Sequence, residues 1–214
     1  IPILYRPWHE HNLTSSFWWN AATPAQLAEL WRFVVQYFRD TRKLHNLLYV
    51  YCPNFRGSMA SGDIAANYLQ GYAGDDYVDV LGLDWYGDIH RAGVMDVLRT
   101  LVALADARGK APAFSEAGIV LGGLPDAAAD PDWFRNDLLE LLKNDPATRR
   151  LAFVMTWYNK PGQFWVPYAP GVTGYESFMD YFNDPWTAFG DELGALRLYD
   201  PPPGAGPASW LLIH

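Results

Sequence analysis

The feature that most constrains the fold is an alternation of short apolar runs with longer amphipathic stretches along the 214 residues. The apolar runs are rich in β-branched and aromatic residues, which favour strands, whereas the amphipathic stretches carry apolar residues at helical spacing. This alternation is typical of consecutive βα units and of a parallel sheet. It predicts five strands, over residues 1–5, 47–51, 77–85, 112–116 and 151–157.

The predicted helices follow from their start signals and their apolar spacing. The first begins at Thr23 as N-cap, with Pro24 at the first helical position and Gln26 placed for a capping box. Further helices are predicted over 94–108, from 130 onward, near 177 and over 187–198. A long polar loop is expected between the second and third strands. Residues 1–199 are expected to form one domain, followed by a loosely ordered Pro/Gly-rich tail over 200–214.

Five βα units in a row indicate either an open doubly wound sheet or part of a (β/α)8 barrel. The chain has no Gly-x-Gly-x-x-Gly after a strand, which disfavours the dinucleotide-binding form of the open sheet. Polar or aromatic residues end nearly every predicted strand, at positions 9–10, 53–54, 84–86, 115–116 and 157–159. Because barrel active sites are built at the carboxyl ends of strands, this pattern favours the barrel.

Composition narrows the possible partners. A formal net charge of −8 without a Lys/Arg cluster disfavours nucleic acid and anionic lipid. No stretch of about 20 apolar residues predicts a membrane span, and no signal peptide is visible. Cys52 is the only cysteine and is compatible with several compartments. Aromatic residues make up 16% of the chain, and their rings can stack on sugars as well as fill a core.

Two carboxylates are the candidate catalytic residues. Glu10 and Glu116 each follow an apolar strand, where a carboxylate is costly to bury without a partner. Taken alone, either glutamate could equally well be an exposed or ion-paired residue at the rim of the barrel rather than a catalytic one. Two at the ends of different strands match retaining glycosidases, in which one carboxyl protonates the leaving oxygen and the other attacks the anomeric carbon, about 5 Å away.

Several motifs in order resemble glycoside hydrolase family 26, the clan A barrels that include many β-mannanases. The motifs are RPWHEHN (6–12), FWW (17–19), LLYVYCPN (47–54), GDDYVDVLGLD (74–84), SEAG (115–118) and TWYN (156–159). They cover the chain up to about residue 199. The resemblance implies an α/β fold, a (β/α)8 TIM barrel of which strands four to eight are present and the first three βα units are missing.

The resemblance also implies roles for single residues. Glu10 would be the acid/base at the end of strand four, and Glu116 the nucleophile at the end of strand seven. Tyr86 would hydrogen-bond the nucleophile, and a phenol donor favours a charged carboxylate. The remaining substrate-binding residues would be His9 beside the cleaved bond, Trp157 as a stacking platform, Trp18 and Asn159. Two roles for Asp84 stay open: it could support the residues that contact the substrate, or it could cap the end of its strand.

The implied activity is hydrolysis of β-1,4-mannosidic bonds in mannan, galactomannan or glucomannan by double displacement, which needs no metal or cofactor. The full-length protein is expected to be a monomer and to act extracellularly, at the cell surface or in the periplasm. Three alternatives stay open: a hydrolase of β-1,3-xylan or mixed-linkage glucan, a non-catalytic glycan-binding fragment, and an open α/β protein of another function.

Two departures from the family pattern bear on these expectations. Many relatives have a segment one residue shorter after His-Glu, with a Trp before Phe-Trp-Trp, where this chain has Leu13-Thr14-Ser15-Ser16. The sequence therefore leaves open whether this chain has an aromatic stacking surface for the sugar on the leaving-group side of the cleaved bond. The chain also begins at the fourth strand of the family pattern, so we expect a fragment with two open sheet edges.

Overall fold

The computed structural model describes residues 2–119 and 130–193. Within them, one sheet of five parallel strands has the order β1-β2-β3-β4-β5, so each strand pairs with its neighbours in sequence. The strands are β1 (Ile3–Tyr5), β2 (Leu47–Tyr51), β3 (Val80–Tyr86), β4 (Ala111–Gly118) and β5 (Phe153–Thr156). Their carboxyl ends therefore meet at one edge of the sheet, and the predicted parallel α/β architecture is confirmed.

Helices connect the strands, as expected for βα units. They are α1 (Pro24–Gln36), α2 (Ile64–Tyr68), α3 (Val94–Arg108), α4 (Leu141–Asn144), α5 (Tyr175–Asn183) and α6 (Gly190–Leu193). A π-helical turn, Tyr37–Thr41, extends α1, and a longer one, Phe134–Glu140, precedes α4. No helix in residues 2–119 and 130–193 is long and apolar enough to span a bilayer.

The start of α1 forms as its sequence predicts. The Thr23 hydroxyl accepts a hydrogen bond from the backbone N–H of Gln26 at 3.3 Å. The Gln26 side chain in turn accepts one from the backbone N–H of Thr23 at 2.9 Å. This reciprocal capping box satisfies two of the backbone donors that a helix N-terminus leaves unpaired. Local chemistry alone therefore fixes where the first helix begins.

The two faces of the sheet carry different clusters. Tyr49, Tyr51, Leu81 and Leu83 join the large core between the sheet and the helices. The alternate residues Val50, Val80 and Ala113 form a small cluster on the other face. Because side chains alternate along a strand, residues at even steps from this cluster share its face. That face therefore also carries Cys52 after β2 and Asp84 near the end of β3.

Several predicted bounds need correction. The second strand and the helix over 94–108 are confirmed, but β3 begins at Val80 rather than 77 because Asp75–Tyr77 forms a 3-10 turn. The fourth strand is longer than predicted and the fifth is shorter. The polar loop after β2 contains α2, which was missed. Of the last predicted helix only α6 is described, and the predicted tail over 200–214 lies outside the described residues.

The core of α3 allows a stability prediction. Leu98 is fully buried, whereas Leu44, in the segment before β2, is 42% exposed. We expect Leu98→Ala to lower the free energy of unfolding by about 2–5 kcal/mol, because it leaves a cavity between α3 and the sheet. The matched control Leu44→Ala should cost less than about 1 kcal/mol. Urea unfolding followed by circular dichroism measures both, and equal losses would contradict this packing.

Candidate active site

The pairing of β3 with β4 places two carboxylates side by side. The register runs from Val80↔Ala111 to Leu83↔Phe114, then shifts so that Asp84 pairs with Glu116. This irregularity adds one residue, Ser115, to β4 opposite the Leu83/Asp84 junction, as a β-bulge does. Both carboxylates are almost completely buried, Asp84 at 0% and Glu116 at 3% exposure. The sheet thus brings two buried carboxyl groups together at its carboxyl edge.

Arg6 bridges this pair. It follows β1, and its guanidinium donates to Asp84 Oδ2 at 2.8 Å and, through its other terminal nitrogen, to Glu116 Oε1. The first nitrogen also contacts Cys52 Sγ at 3.5 Å. An uncompensated buried carboxylate is strongly unfavourable, whereas one held by charge-assisted hydrogen bonds is tolerated. Arg6 therefore joins the ends of β1, β2, β3 and β4.

Asp84 is the deepest member of the cluster. Its Oδ1 accepts a hydrogen bond from the Ser115 hydroxyl at 2.7 Å, while Oδ2 accepts from Arg6. Burial raises the pKa of Asp84 well above its usual range; the Glu116 charge raises it further, and the Arg6 charge opposes both. Asp84 is thus an internal partner of Arg6 and Ser115, which answers the question that the sequence left open.

Glu10 lies in a tight turn after β1. Trp8 and Glu10 have positive φ angles, 48° and 51°, which are uncommon for residues with a side chain. Hydrogen bonds hold this turn: the Glu10 N–H donates to the Cys52 carbonyl at 2.9 Å, and the Asn20 amide donates to the Glu10 carbonyl at 3.0 Å. Such strain persists only where its surroundings determine it, and it is frequent at functional sites.

The Glu10 carboxyl faces the Asp84 and Glu116 carboxylates. One oxygen of each of the three groups lies within 4.8 Å of the others. Asn54, after β2, donates to Glu10 Oε1 at 2.8 Å. Burial raises the pKa of Glu10; the Asn54 hydrogen bond lowers it, and the charge of Glu116 raises it again. The net direction is upward, so Glu10 holds its proton to a higher pH than an ordinary glutamate.

Tyr86, the last residue of β3, completes the surroundings of Glu116. Its hydroxyl donates to Glu116 Oε2 at 2.7 Å, the contact that the family resemblance implied. Burial and this hydrogen bond raise the pKa of Tyr86. The phenol therefore stays protonated and remains a donor. Glu116 consequently has one oxygen bound by Arg6 and the other by Tyr86.

His9 precedes Glu10 and packs among aromatic rings. Its imidazole lies 4.7 Å from the Phe17 ring and 5.7 Å from the Trp19 ring. The Trp19 indole N–H donates to the His9 carbonyl at 2.9 Å. Burial, with the nearby Arg6 charge, lowers the pKa of His9. The imidazole is therefore neutral near pH 7 and adds no positive charge beside the carboxylates.

The three carboxyl groups are close enough to bind a cation. Hard cations such as Mg²⁺ and Ca²⁺ prefer this kind of oxygen donor. However, Arg6 already places a guanidinium against Asp84 and Glu116, so the positive charge of the cluster comes from the chain itself. The cluster therefore combines Glu10, whose pKa is raised, with Glu116, whose carboxyl is held from two sides by Arg6 and Tyr86.

The other predicted site residues have local partners of their own. Trp18 is 72% exposed and contacts Trp19 edge-on at 5.7 Å. Trp157, just after β5, is half-buried against Tyr158 at 5.1 Å. The Asn159 amide bonds the backbone of residues 165–166. Among residues 2–119 and 130–193, no hydrogen bond joins Trp18, Trp157 or Asn159 to either catalytic candidate.

Two residues of the cluster had no predicted role. Arg6 and Asn54 both lie in the quoted motifs, and both follow strands, as Glu10 does, whereas Glu116 lies within β4 near its end. Their position at strand ends was therefore an available signal. What the sequence did not show is how closely side chains at the ends of β1 and β4 approach, because these strands are not neighbours in the sheet and Arg6 reaches Glu116 over a separation of 110 residues.

Comparison with known proteins identifies related sequences. The profile of Glycosyl hydrolase family 26 matches residues 1–144. A mannan endo-1,4-beta-mannosidase of Bifidobacterium adolescentis is 38% identical over 76% of this chain and 17% of its own length. The mannan endo-1,4-beta-mannosidase A and B of Caldalkalibacillus mannanilyticus is 29% identical over 94% of this chain and 36% of its own length. The chain thus spans well under half the length of these relatives.

Solved structures show the same fold. A modular endo-beta-1,4-mannanase from Cellulomonas fimi has a TM-score of 0.78 and 42% identity, over 90% of this chain and 43% of that one. The catalytic domain of a Bacillus sp. JAMB-750 GH26 endo-beta-1,4-mannanase has a TM-score of 0.80 and 32% identity, over 93% of this chain and 54% of that one. The five-stranded parallel sheet is therefore similar to part of these mannanase folds.

The electrostatics of the cluster predict two opposite pKa changes. Glu116→Gln removes a negative charge that opposes ionisation of Glu10, so the pKa of Glu10 should fall. Asn54→Ala removes a donor that stabilises the ionised form, so the same pKa should rise. Carbon-13 NMR titration of the glutamate carboxyls measures both shifts.

The control for this titration is Glu29→Gln, at an exposed position of α1. It should leave the pKa of Glu10 unchanged, because Glu29 is exposed and salt screens charges at the surface. A shift in the same direction for Glu116→Gln and Asn54→Ala would show that the arrangement around Glu10 differs from the one described.

Proposed function

The chain belongs to glycosyl hydrolase family 26, and from this membership we propose that it is a retaining endo-β-1,4-mannanase acting by double displacement. The observation that carries the proposal is the approach of the Glu10 and Glu116 carboxyl oxygens to within 4.8 Å. Retaining enzymes separate their two carboxyl groups by about 5–5.5 Å, whereas inverting enzymes leave about 6.5–9.5 Å for a water molecule. The short separation supports retention.

In the first step, Glu116 attacks the anomeric carbon while Glu10 protonates the departing glycosidic oxygen. A general acid must hold its proton near the working pH, and burial of Glu10 shifts its pKa in that direction. Glu116 must present a charged oxygen, and the guanidinium of Arg6 stabilises that charge. The C–O bond to the leaving sugar breaks as the bond to Glu116 forms.

In the second step, Glu10 acts as a base. It removes a proton from a water molecule whose oxygen attacks the anomeric carbon, and the bond to Glu116 breaks. After the first step Glu10 is ionised and Glu116 is esterified. The negative charge that raised the pKa of Glu10 is then absent, so its carboxylate stays available as a base at neutral pH.

We base the proposed substrate-binding roles on where the ring side chains lie relative to Glu10 and Glu116. We assign His9 and Trp157 to the sugar at the cleaved bond, because His9 precedes Glu10 and Trp157 follows the strand next to Glu116. Trp18, with its exposed indole, is suited to stack a sugar on the leaving-group side. Asn159 acts indirectly in this proposal, since its amide positions the backbone of residues 165–166.

The substrate class follows from the relatives, whose names give mannan endo-1,4-beta-mannosidase activity. We propose mannan, galactomannan or glucomannan as the polysaccharide, and an extracellular, cell-surface or periplasmic location, because the polymer is outside the cell. We further propose that β1–β5 correspond to strands four to eight of a (β/α)8 barrel and that the full-length enzyme is a monomer. β-1,3-Xylan and mixed-linkage glucan are the alternative substrates for the same two carboxylates.

The catalytic roles predict different responses to two alanine substitutions. Glu116→Ala should abolish cleavage of both mannan and an activated aryl mannoside, because both require the nucleophile. Glu10→Ala should lower the rate on mannan by about 10²–10⁴-fold, the usual contribution of a general acid. Its first step on the activated aryl mannoside should be much less affected, since that leaving group departs without a proton. Viscosity loss and aryl-alcohol release measure these rates.

Glu29→Ala is the control, because this exposed glutamate of α1 should leave both rates unchanged. Parent-level viscosity loss with Glu116→Ala would refute the assignment of the nucleophile. Absence of aryl-alcohol release from the unmodified chain would favour a non-catalytic glycan-binding role. Faster release of sugars from β-1,3-xylan or mixed-linkage glucan than from mannan would move the substrate class to those polymers.

A further inference from the structure

We propose that Asn12 is a positioning residue for the acid/base: its carboxamide holds the backbone of Asn54 so that the Asn54 side chain donates to the Glu10 carboxyl. The inference rests on the proposed function, in which Glu10 is the acid/base, and adds to it a residue that acts through another side chain. Asn12 lies two positions after Glu10 in the RPWHEHN motif, and neither the motif nor the mechanism gave it a role.

The backbone of Asn54 has one side that no strand covers. On the other side lies β3: the Phe55 N–H donates to the Asp84 carbonyl at 2.8 Å, and the Asp84 N–H donates to the Pro53 carbonyl at 3.0 Å. In such a parallel ladder, the residue between these two contacts points its own N–H and C=O toward the opposite neighbour. The strand β1 does not supply that neighbour, because it ends at Tyr5, well before this level of the sheet.

The Asn12 side chain takes the place of the missing strand. Its Oδ1 accepts a hydrogen bond from the Asn54 N–H at 2.9 Å, and its Nδ2 donates to the Asn54 carbonyl at 2.7 Å. A carboxamide carries one acceptor oxygen and an N–H donor, as a peptide group does, so it can pair with both backbone groups at once. Asn12 thus satisfies the N–H and the C=O of Asn54 together.

This clamp joins the turn that carries Glu10 to the end of β2. The Glu10 N–H already donates to the Cys52 carbonyl at 2.9 Å, and Asn12 adds two hydrogen bonds two residues further along. From the backbone held in this way, the Asn54 side chain donates to Glu10 Oε1 at 2.8 Å. Without Asn12, the backbone of Asn54 would be held from the β3 side alone, and its side chain could turn away from Glu10.

The Asn54 amide acts among several charged and titratable groups that face Glu10. They come from the segment after β1, from β3 and from β4, and they are Arg6, Asp84, Tyr86 and Glu116. Burial raises the pKa of Glu10, and the Asn54 hydrogen bond lowers it. Asn54 is uncharged, so its effect on Glu10 depends on the distance and direction of one hydrogen bond. Its contribution is therefore sensitive to how Asn12 holds it.

Two roles of Asn12 predict opposite changes when its side chain is removed. If Asn12 positions Asn54, its loss weakens a hydrogen bond that favours ionised Glu10, and the pKa of Glu10 rises further. If Asn12 only packs the turn, its loss admits water beside Glu10. The burial that raises this pKa is then relieved, and the pKa falls toward its usual value.

The test is carbon-13 NMR titration of Glu10 in the 214-residue chain. Asn12→Ala should raise the pKa of Glu10, by no more than Asn54→Ala does. Adding Asn12→Ala to Asn54→Ala should cause no further rise, because the effect passes through Asn54. Asn12→Ser keeps a hydroxyl acceptor for the Asn54 N–H and should cause a smaller rise. It replaces the alanine variant if circular dichroism shows that the latter does not fold.

The matched control is Asn67→Ala. The Asn67 amide also donates to a backbone carbonyl, that of Ser61 at 2.7 Å, but it bonds neither Asn54 nor Glu10. This substitution should leave the pKa of Glu10 unchanged.

The same variants predict a change in the pH profile of mannan hydrolysis. Asn12→Ala should lower kcat/KM by about tenfold, because small misplacements of a catalytic group are costly. The alkaline limb of kcat/KM reports ionisation of the general acid in the free enzyme, so it should move to higher pH. Asn67→Ala should leave both the rate and the limb unchanged.

A fall in the pKa of Glu10 with Asn12→Ala, or no change, would overturn the inference. A further rise when Asn12→Ala is added to Asn54→Ala would overturn the route through Asn54. The two proposals fail separately, because the titration needs no turnover. The expected rise in a chain that hydrolyses no mannan contradicts only the catalytic proposal, whereas Glu10-dependent hydrolysis with an unmoved pKa contradicts only the role of Asn12.

Discussion

The arrangement of the candidate site depends on one ionic interaction, the guanidinium of Arg6 between the buried carboxylates of Asp84 and Glu116. Two carboxyl groups that are 0% and 3% exposed, on paired residues of neighbouring strands, are costly to bury without a cation beside them. Losing one partner of such a buried group is strongly destabilising. Arg6 therefore supplies a cation directly against the buried carboxyl of Glu116, the proposed nucleophile.

The backbone around this interaction places each group by a different device. A register shift between β3 and β4 brings Asp84 beside Glu116, and it also points the Ser115 hydroxyl at Asp84. A turn with two positive φ angles brings the Glu10 carboxyl to the same cluster. The strain of that turn is compensated by hydrogen bonds to Cys52 and Asn20. The sheet thus positions Asp84 and Glu116, and the turn adds Glu10, whose pKa burial raises.

Much of this could be predicted where the signal is local. The capping box of α1, the bounds of α3 and the positions of Glu10 after β1, Glu116 near the end of β4 and Tyr86 at the end of β3 follow from short-range chemistry. The salt bridge of Arg6 could not be predicted, because it depends on how strands far apart in sequence align. The register shift before Asp84 has no visible sequence signal either. The helix α2 was missed because five residues are too few for a clear period.

The account makes one central claim, that Glu10 and Glu116 are close enough for Glu116 to bond directly to the sugar. Two successive displacements at the anomeric carbon preserve its configuration, whereas a single displacement by water inverts it. Proton NMR of the first sugars released from mannohexaose measures this configuration before mutarotation mixes the anomers. The account predicts that the β-anomer appears first. Initial appearance of the α-anomer would contradict it, because that product requires a water molecule between the two carboxyl groups.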